Sequence, residues 1–172
     1  MPLLRDPPSD SDSVWAYMVL GRALRIACEF ESNCRSLAFV LKVREPQASG
    51  QSDEKFFEAV SKAVLGRLVD LNKLIAKRAK LKEEYSTMLH AAKEARNYIA
   101  HQAVDELELL AKESGGINRW RSVMESKLHD IAYGKIIVAV LLSQNSAEPT
   151  PTAEEIDAYP PKVKSWVLRH DA

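Results

Sequence analysis

Ala91-Ala-Lys-Glu-Ala-Arg-Asn-Tyr-Ile-Ala-His-Gln102 is the stretch on which the fold of this chain turns. On a helical wheel with Tyr85 at zero and about 100° per residue, Met88, Leu89, Ala92, Ile99, Ala103, Leu107 and Leu110 fall within roughly 60° of the origin. That is an apolar stripe on one side of a helix, so the segment is expected to lie against a core. Arg96 falls about 20° from the same origin, inside the stripe, where a charge is costly unless it is paired or reaches past the stripe to a polar site. Asn97 lies at about 120° and His101 at about 160°, one turn apart and able to pair. Arg96 and His101 are thus roughly 140° apart on an ideal helix. They meet only if the long arginine bends around, if the helix is irregular, or if a second subunit brings its own copy alongside.

Outward from this segment the pattern stays helical. A first helix from about Ser13 to Arg44 is marked by Val14, Met18, Leu24, Cys28, Leu37, Val40 and Leu41, with Ser11, Asp12 or Ser13 as its cap. Pro46 and Gly50 then predict a loop. A second helix begins near Asp53, with Phe56, Phe57, Val60, Val64, Leu68, Leu71 and Ile75 as its buried stripe. If helix ran unbroken from Asp53 to Glu113 it would be roughly 90 Å long, too long for one small domain to bury, which predicts a break near Ala76 to Lys82. The third helix then runs to about Lys112 and is closed by Ser114-Gly115-Gly116. Asn118 is the predicted cap of a fourth, through Trp120, Met124, Leu128, Ile131 and Ile136 to about Ser143.

After Gln144 a linker rich in Pro, Ser and Thr leads to Thr152-Ala-Glu-Glu155, the pattern of a capping box, and a short helix that Pro160-Pro161 is expected to end. Val163, Trp166 and Val167 predict that the last segment docks on its own bundle or on a partner subunit. The fold class expected is therefore all-α: a four-helix up-down bundle over residues 13–145, preceded by a flexible arm (1–12) and followed by a linker and docking extension (146–172).

Composition narrows the function. Across 172 residues, 24 basic side chains balance 24 acidic ones, so no global positive field advertises a nucleic-acid binder and phosphate contacts must come from a local patch. Lys73, Lys77, Arg78, Lys80 and Lys82 supply one candidate patch, with Lys93 and Arg96 further along. The same lysines also suit a solvated helix end. Asp105, Glu106 and Glu108, just beyond His101, weigh against a continuous basic groove. The opening residues do not read as a secretory signal and no apolar run is long enough to span a bilayer, which predicts a cytoplasmic protein without membrane contact. Cys28 and Cys34 sit six apart on one helix, face different ways and read as reduced packing residues; neither a metal site nor a cofactor is expected.

An arginine followed at once by a polar residue and then by a histidine, Arg96-Asn97-Tyr98-Ile99-Ala100-His101, on a late helix of a four-helix bundle resembles the HEPN superfamily. The likeness covers about residues 13–145 in architecture and six residues in motif. It implies a homodimer, and for many members a metal-independent endoribonuclease in toxin, abortive-infection or CRISPR-associated systems. RNA and a cognate antitoxin or regulatory protein would then be partners. Other members serve as dimerising or nucleotide-binding modules without catalysis. Carried over to this chain, the resemblance gives His101 the general acid or base role and Arg96 the stabilisation of phosphate charge. Asn97 would orient the histidine or bind substrate, and Tyr98 would stack on a base, although helix packing explains that residue equally well; apart from the resemblance, Lys93, Arg78 and Lys77 of the basic cluster are the further candidate substrate contacts.

The chemistry is consistent with that assignment. Metal-free RNA cleavage needs a proton taken from the ribose 2′-hydroxyl, which suits an imidazole, and a guanidinium can contact two phosphate oxygens at once. The plainer reading is a structural one, in which Arg96 reaches a carboxylate on a neighbouring helix and His101 is a solvated surface residue. His90, His129 and His170 have no partner spacing.

Overall fold

The computed structural model describes residues 11–44 and 52–169. Among these residues the chain is all-helical, with seven helices and no strand: α1 (Ser11–Val43), α2 (Asp53–Val64), α3 (Leu68–Arg78), α4 (Glu83–His101), α5 (Ala103–Leu110), α6 (Gly116–Gln144) and α7 (Ala153–Leu168). No helix among them is long and apolar enough to cross a membrane. α4 packs chiefly on α6, α1 lies along α6, α3 and α2, and α7 docks on α6 and α1. The core between them is filled by Phe30, Leu37, Leu71, Ile75, Leu89, Ile99, Trp120, Met124 and Leu128. At the closest approach of three helices stands Gly134 of α6, where a Cβ would run into the side chains of Ala92 and Phe30.

Several boundaries differ from those the pattern predicts. The second helix is two, because the chain turns at Leu65, Gly66 and Arg67 before α3 starts. Ser52 caps α2 through the Lys55 amide, whereas α3 has no side-chain cap. The expected turn ahead of the third helix is present, narrowed to residues 79–82, with Lys80 at φ 49°. The third helix ends at His101, interrupted at Gln102 (φ −124°), and resumes as α5. The fourth begins at Gly116, ahead of the expected Asn118 cap; Gly115 sits before it at φ 70°, a conformation that favours glycine, and a side chain on Gly116 would collide with the Leu110 carbonyl.

Pro160-Pro161 does not end the last helix. α7 opens on the predicted Thr152–Glu155 capping box and continues through both prolines to Leu168. Burial of Val163, Val167 and Leu168 holds the second half, and Arg22 Nη1 donates to the carbonyls of Val167 (3.4 Å) and Arg169 (3.0 Å) at its end. The largest correction concerns α1. Val14, Met18 and Leu24 of its expected core stripe are exposed, as is Cys28, while Trp15, Val19, Ala23, Ala27, Phe30, Cys34 and Leu37 are buried. Helix formation begins at Ser11, so Ser11, Asp12 and Ser13 lie within the first turn; residues 1–10, most of the 45–52 loop and His170 fall outside the described residues.

Candidate functional site

The last turns of α4 lie against the middle of α1, which decides where the Arg96 side chain goes. Its Cα is on the core side, flanked by buried Ala92, Ala95 and Ile99, and its guanidinium leaves the core toward α1, where Nη2 pairs with Glu31 Oε2. Glu31 also accepts from Arg35 Nη2 at 2.7 Å, one turn along α1, and Arg35 is itself anchored to the Val64 and Gly66 carbonyls at the end of α2. Burial raises the Glu31 carboxyl, but hydrogen bonds and charge from Arg35 and Arg96 outweigh it and hold the group below the usual carboxylate range. The buried charge thereby has its partner, and the guanidinium is held by a fixed anion.

Nη1 of the same guanidinium faces the other way. It lies 3.3 Å from Asn97 Oδ1, to which it donates, and 3.4 Å from His101 Nε2. A guanidinium can only donate, so Nε2 is suited to accept in that contact in the tautomer that carries its proton on Nδ1. Arg96 and His101 therefore meet within one chain, despite the roughly 140° that separates them on an ideal helix. The reach of the long arginine side chain closes the gap within a helix that is regular through His101. The imidazole is exposed, Arg96 is 22% exposed, and Asn97 lies between them.

A cleft of about 460 Å³ opens beside this group, lined by Glu31, Arg35, Arg67, Lys93, Arg96 and Asn97 among others. Four of those six side chains are cationic and one is anionic, so the cleft is locally positive although the chain is neutral. Arg67, largely exposed and paired with Asp70 at 3.1 Å, sits at its rim.

The other candidate residues are placed differently. Tyr98 is buried, with its hydroxyl donating to Glu106 Oε2 at 2.6 Å and Lys127 over its ring at 5.6 Å, so its face is not presented at the cleft. Burial and the Glu106 hydrogen bond push its hydroxyl pKa up. Lys93 is nearly buried and pairs with Glu94, yet borders the cleft. Lys77 and Arg78 end α3 at its junction with α4, about 20 Å along α4 from Arg96. Hence the lysine-rich corner and the Arg96 cleft are separate surfaces. His90 and His129 are exposed, near Glu94 and Asp130 respectively.

Glu31, Arg35 and Arg67 carry much of the site and were not singled out from sequence. One signal existed: an arginine inside an apolar stripe demands an anion on the facing helix, and Glu31 is the α1 carboxylate that answers it. Nothing in the spacing distinguished it from Glu29. Cys34 is buried, its thiol pushed up to about 12 by that burial, which makes it inert packing. Among the described residues no cluster of three or more His, Cys, Asp or Glu side chains is arranged to hold a metal. Compared with family models, curated proteins and solved structures, the chain matches none.

Proposed function

We propose that this chain is a HEPN-type, metal-independent endoribonuclease of the cytoplasm, acting as a toxin or abortive-infection-like effector, with its site completed across a homodimer. The observation that carries the reading is the convergence of Arg96, Asn97 and His101 at the open end of α4, with Nη1 3.3 and 3.4 Å from its two neighbours. Glu31 holds the guanidinium from behind and leaves its other edge toward solvent. A phosphate entering the positive cleft would take Nη1 away from His101 Nε2, so substrate binding itself frees the base. Nε2 then removes the 2′-hydroxyl proton, the 2′-oxygen attacks phosphorus, and the bond to the 5′-oxygen breaks. A protonated imidazole, that of the second copy in a dimer, returns a proton to the leaving oxygen. Arg96 offsets the charge that develops on the phosphate.

A second reading, a HEPN-like module that dimerises and binds nucleotide, nucleic acid or protein without catalysis, draws on the intrachain Arg96–Glu31 pair, which gives Arg96 a purely structural reason to exist. One experiment separates them. Purified protein is incubated with a mixed RNA pool and a chelator, and product ends are mapped. Cuts leaving 2′,3′-cyclic phosphate and 5′-hydroxyl ends, lost in His101→Ala, support the ribonuclease. Intact RNA, or cutting that survives the substitution, leaves the binding module.

A further inference from the structure

α7 is fastened to the bundle by its second half. Its buried residues are Val163, Val167 and Leu168, all beyond Pro160-Pro161, whereas Ile156 and Tyr159 of the first half are only half-buried. Those two share with Ile136 and Ala139 of α6 a pocket of about 550 Å³, and Pro149, Pro151 and Asn33 of α1 add to its lining. The volume lies inside the roughly 300–1,000 Å³ usual for small-molecule sites.

The walls are held in place by the chain itself. Thr150 stands between two prolines whose rings fix their own backbone angles, and its hydroxyl lies 3.2 Å from that of Ser143 on α6. Next to it the Thr152–Glu155 capping box anchors the start of α7, with hydrogen bonds of 2.8 and 3.2 Å. The space between α6 and the first half of α7 is therefore kept open by structure on both sides.

The polar groups of the lining differ in what they have left to offer. Both charged ones are engaged by their own chain: Lys135 donates to Glu29 at 2.7 Å, and Glu155 accepts from the Thr152 amide. The Asn33 carboxamide, one turn along α1 from Glu29, makes no hydrogen bond among the described residues. It brings two N–H donors and a carbonyl acceptor to the pocket from a half-buried position.

We propose that this pocket binds an uncharged small molecule with an apolar body and one carbonyl or amide group, which the Asn33 side chain receives. The body is matched to Ile136, Ala139, Ile156, Tyr159 and the prolines, whose surface leaves water on binding. A charged ligand would lose its hydration without gaining a counter-ion, since Lys135 and Glu155 already have theirs. A neutral carbonyl costs far less to bury and gives the Asn33 amide the partner it needs once water is displaced. The pocket shares no lining residue with the Arg96 cleft and stands independently of any chemistry there.

The test titrates the full chain with Prodan, a neutral dimethylaminonaphthalene bearing one propionyl carbonyl, whose emission moves to the blue in an apolar site. Saturable one-to-one binding is expected with a Kd on the order of 100 μM, the scale for a molecule of that size. The backbone amides whose NMR shifts respond should cluster at 135–139 and 149–159. Ala139→Phe sets a ring into the pocket from a half-buried position and should weaken binding at least about 10-fold. Asn33→Ala should weaken Prodan about fivefold, one neutral hydrogen bond, while leaving dimethylaminonaphthalene without the carbonyl within about twofold. Anilinonaphthalene sulfonate, similar in body but anionic, should bind at least about 10-fold more weakly than Prodan. Absent saturation, responding amides elsewhere in the chain, or a sulfonate that binds as tightly as Prodan overturns the proposal. So does an Asn33→Ala chain that treats the dyes with and without the carbonyl alike. The amide map needs no substitution, so it decides the location even where Ala139→Phe fails to fold.

Discussion

Glu29 and Glu31 stand two residues apart on α1 and face opposite flanks, and each holds a cation from another helix. Glu29 accepts from Lys135 of α6 at 2.7 Å, and the same ammonium lies 5.6 Å from the ring centre of Tyr159 on α7. Glu31 holds Arg96 of α4 and Arg35 of its own helix. The first arrangement consumes its cation. The Lys135 side chain is 11% exposed and faces the carboxylate and the tyrosine, beside an apolar pocket of about 550 Å³ lined by Ile136, Ile156, Tyr159 and two prolines. The second leaves a guanidinium edge over, because five N–H donors exceed what one carboxylate can accept, and that edge meets His101. A lysine on one flank fastens α7; an arginine on the other fastens α4 and keeps an unspent face.

The largest expected effect belongs to His101→Ala. RNA cleavage should fall by about 10³-fold, within the span usual for a general acid or base, while the melting temperature stays put because the imidazole is exposed. Rates with and without the substitution, measured beside thermal melts, check it. Equal cleavage would place both flanks of α1 in the structural class.

Next comes Arg96→Lys. A lysine can still reach Glu31 but cannot also engage Asn97, His101 and two phosphate oxygens in one plane, so cleavage should drop about 100-fold with under about 1 kcal/mol lost in stability. The mirror experiment, Lys135→Met, should leave cleavage within about twofold. It should cost about 1–2 kcal/mol by urea unfolding, from the lost pair and the cation–π contact, since Glu29 is 41% exposed and can rehydrate. If the two substitutions exchange their effects, the division between flanks is wrong.

The sequence carried the helical class, the core-facing side of α4 and the Thr152–Glu155 cap, because each rests on local periodicity or on side chains within a turn of one another. It misplaced what depends on the partner surface. Val14, Met18 and Leu24 read as core since α1 is apolar on two sides and periodicity does not say which side its own chain covers. Gly66 hides between two segments whose apolar residues keep one helical phase in the sequence, although Phe57 of that expected buried stripe is exposed. Pro160-Pro161 predicts a stop that tertiary burial of Val163 and Val167 overrides. For the site, Arg96 announced that it needed an anion, but the choice between Glu29 and Glu31 required the angle at which α4 crosses α1.

The smallest expected effect is a pH dependence that ranks the two flanks. Both carboxyls lie below the usual range: Glu29 mainly through the Lys135 hydrogen bond against an opposing burial cost, and Glu31 because its two arginines outweigh the burial that leads the opposing effects. A depressed folded-state pKa means stability that is fully present above the unfolded carboxyl value of about 4.3 and is lost as pH falls through the lower folded value. Melting temperature should therefore decline as pH drops from about 5 toward 3, the steepness of the decline reporting both groups. Glu31, 18% exposed with two cations, should contribute more than Glu29, 41% exposed and more screened by water. Accordingly Glu31→Gln should flatten the acid limb of the stability curve more than Glu29→Gln does, each by a fraction of a kcal/mol. Equal flattening would mean that the charge holding Arg96 in place is no better sheltered than the one fastening α7, and that the guanidinium owes its orientation to packing around its stem.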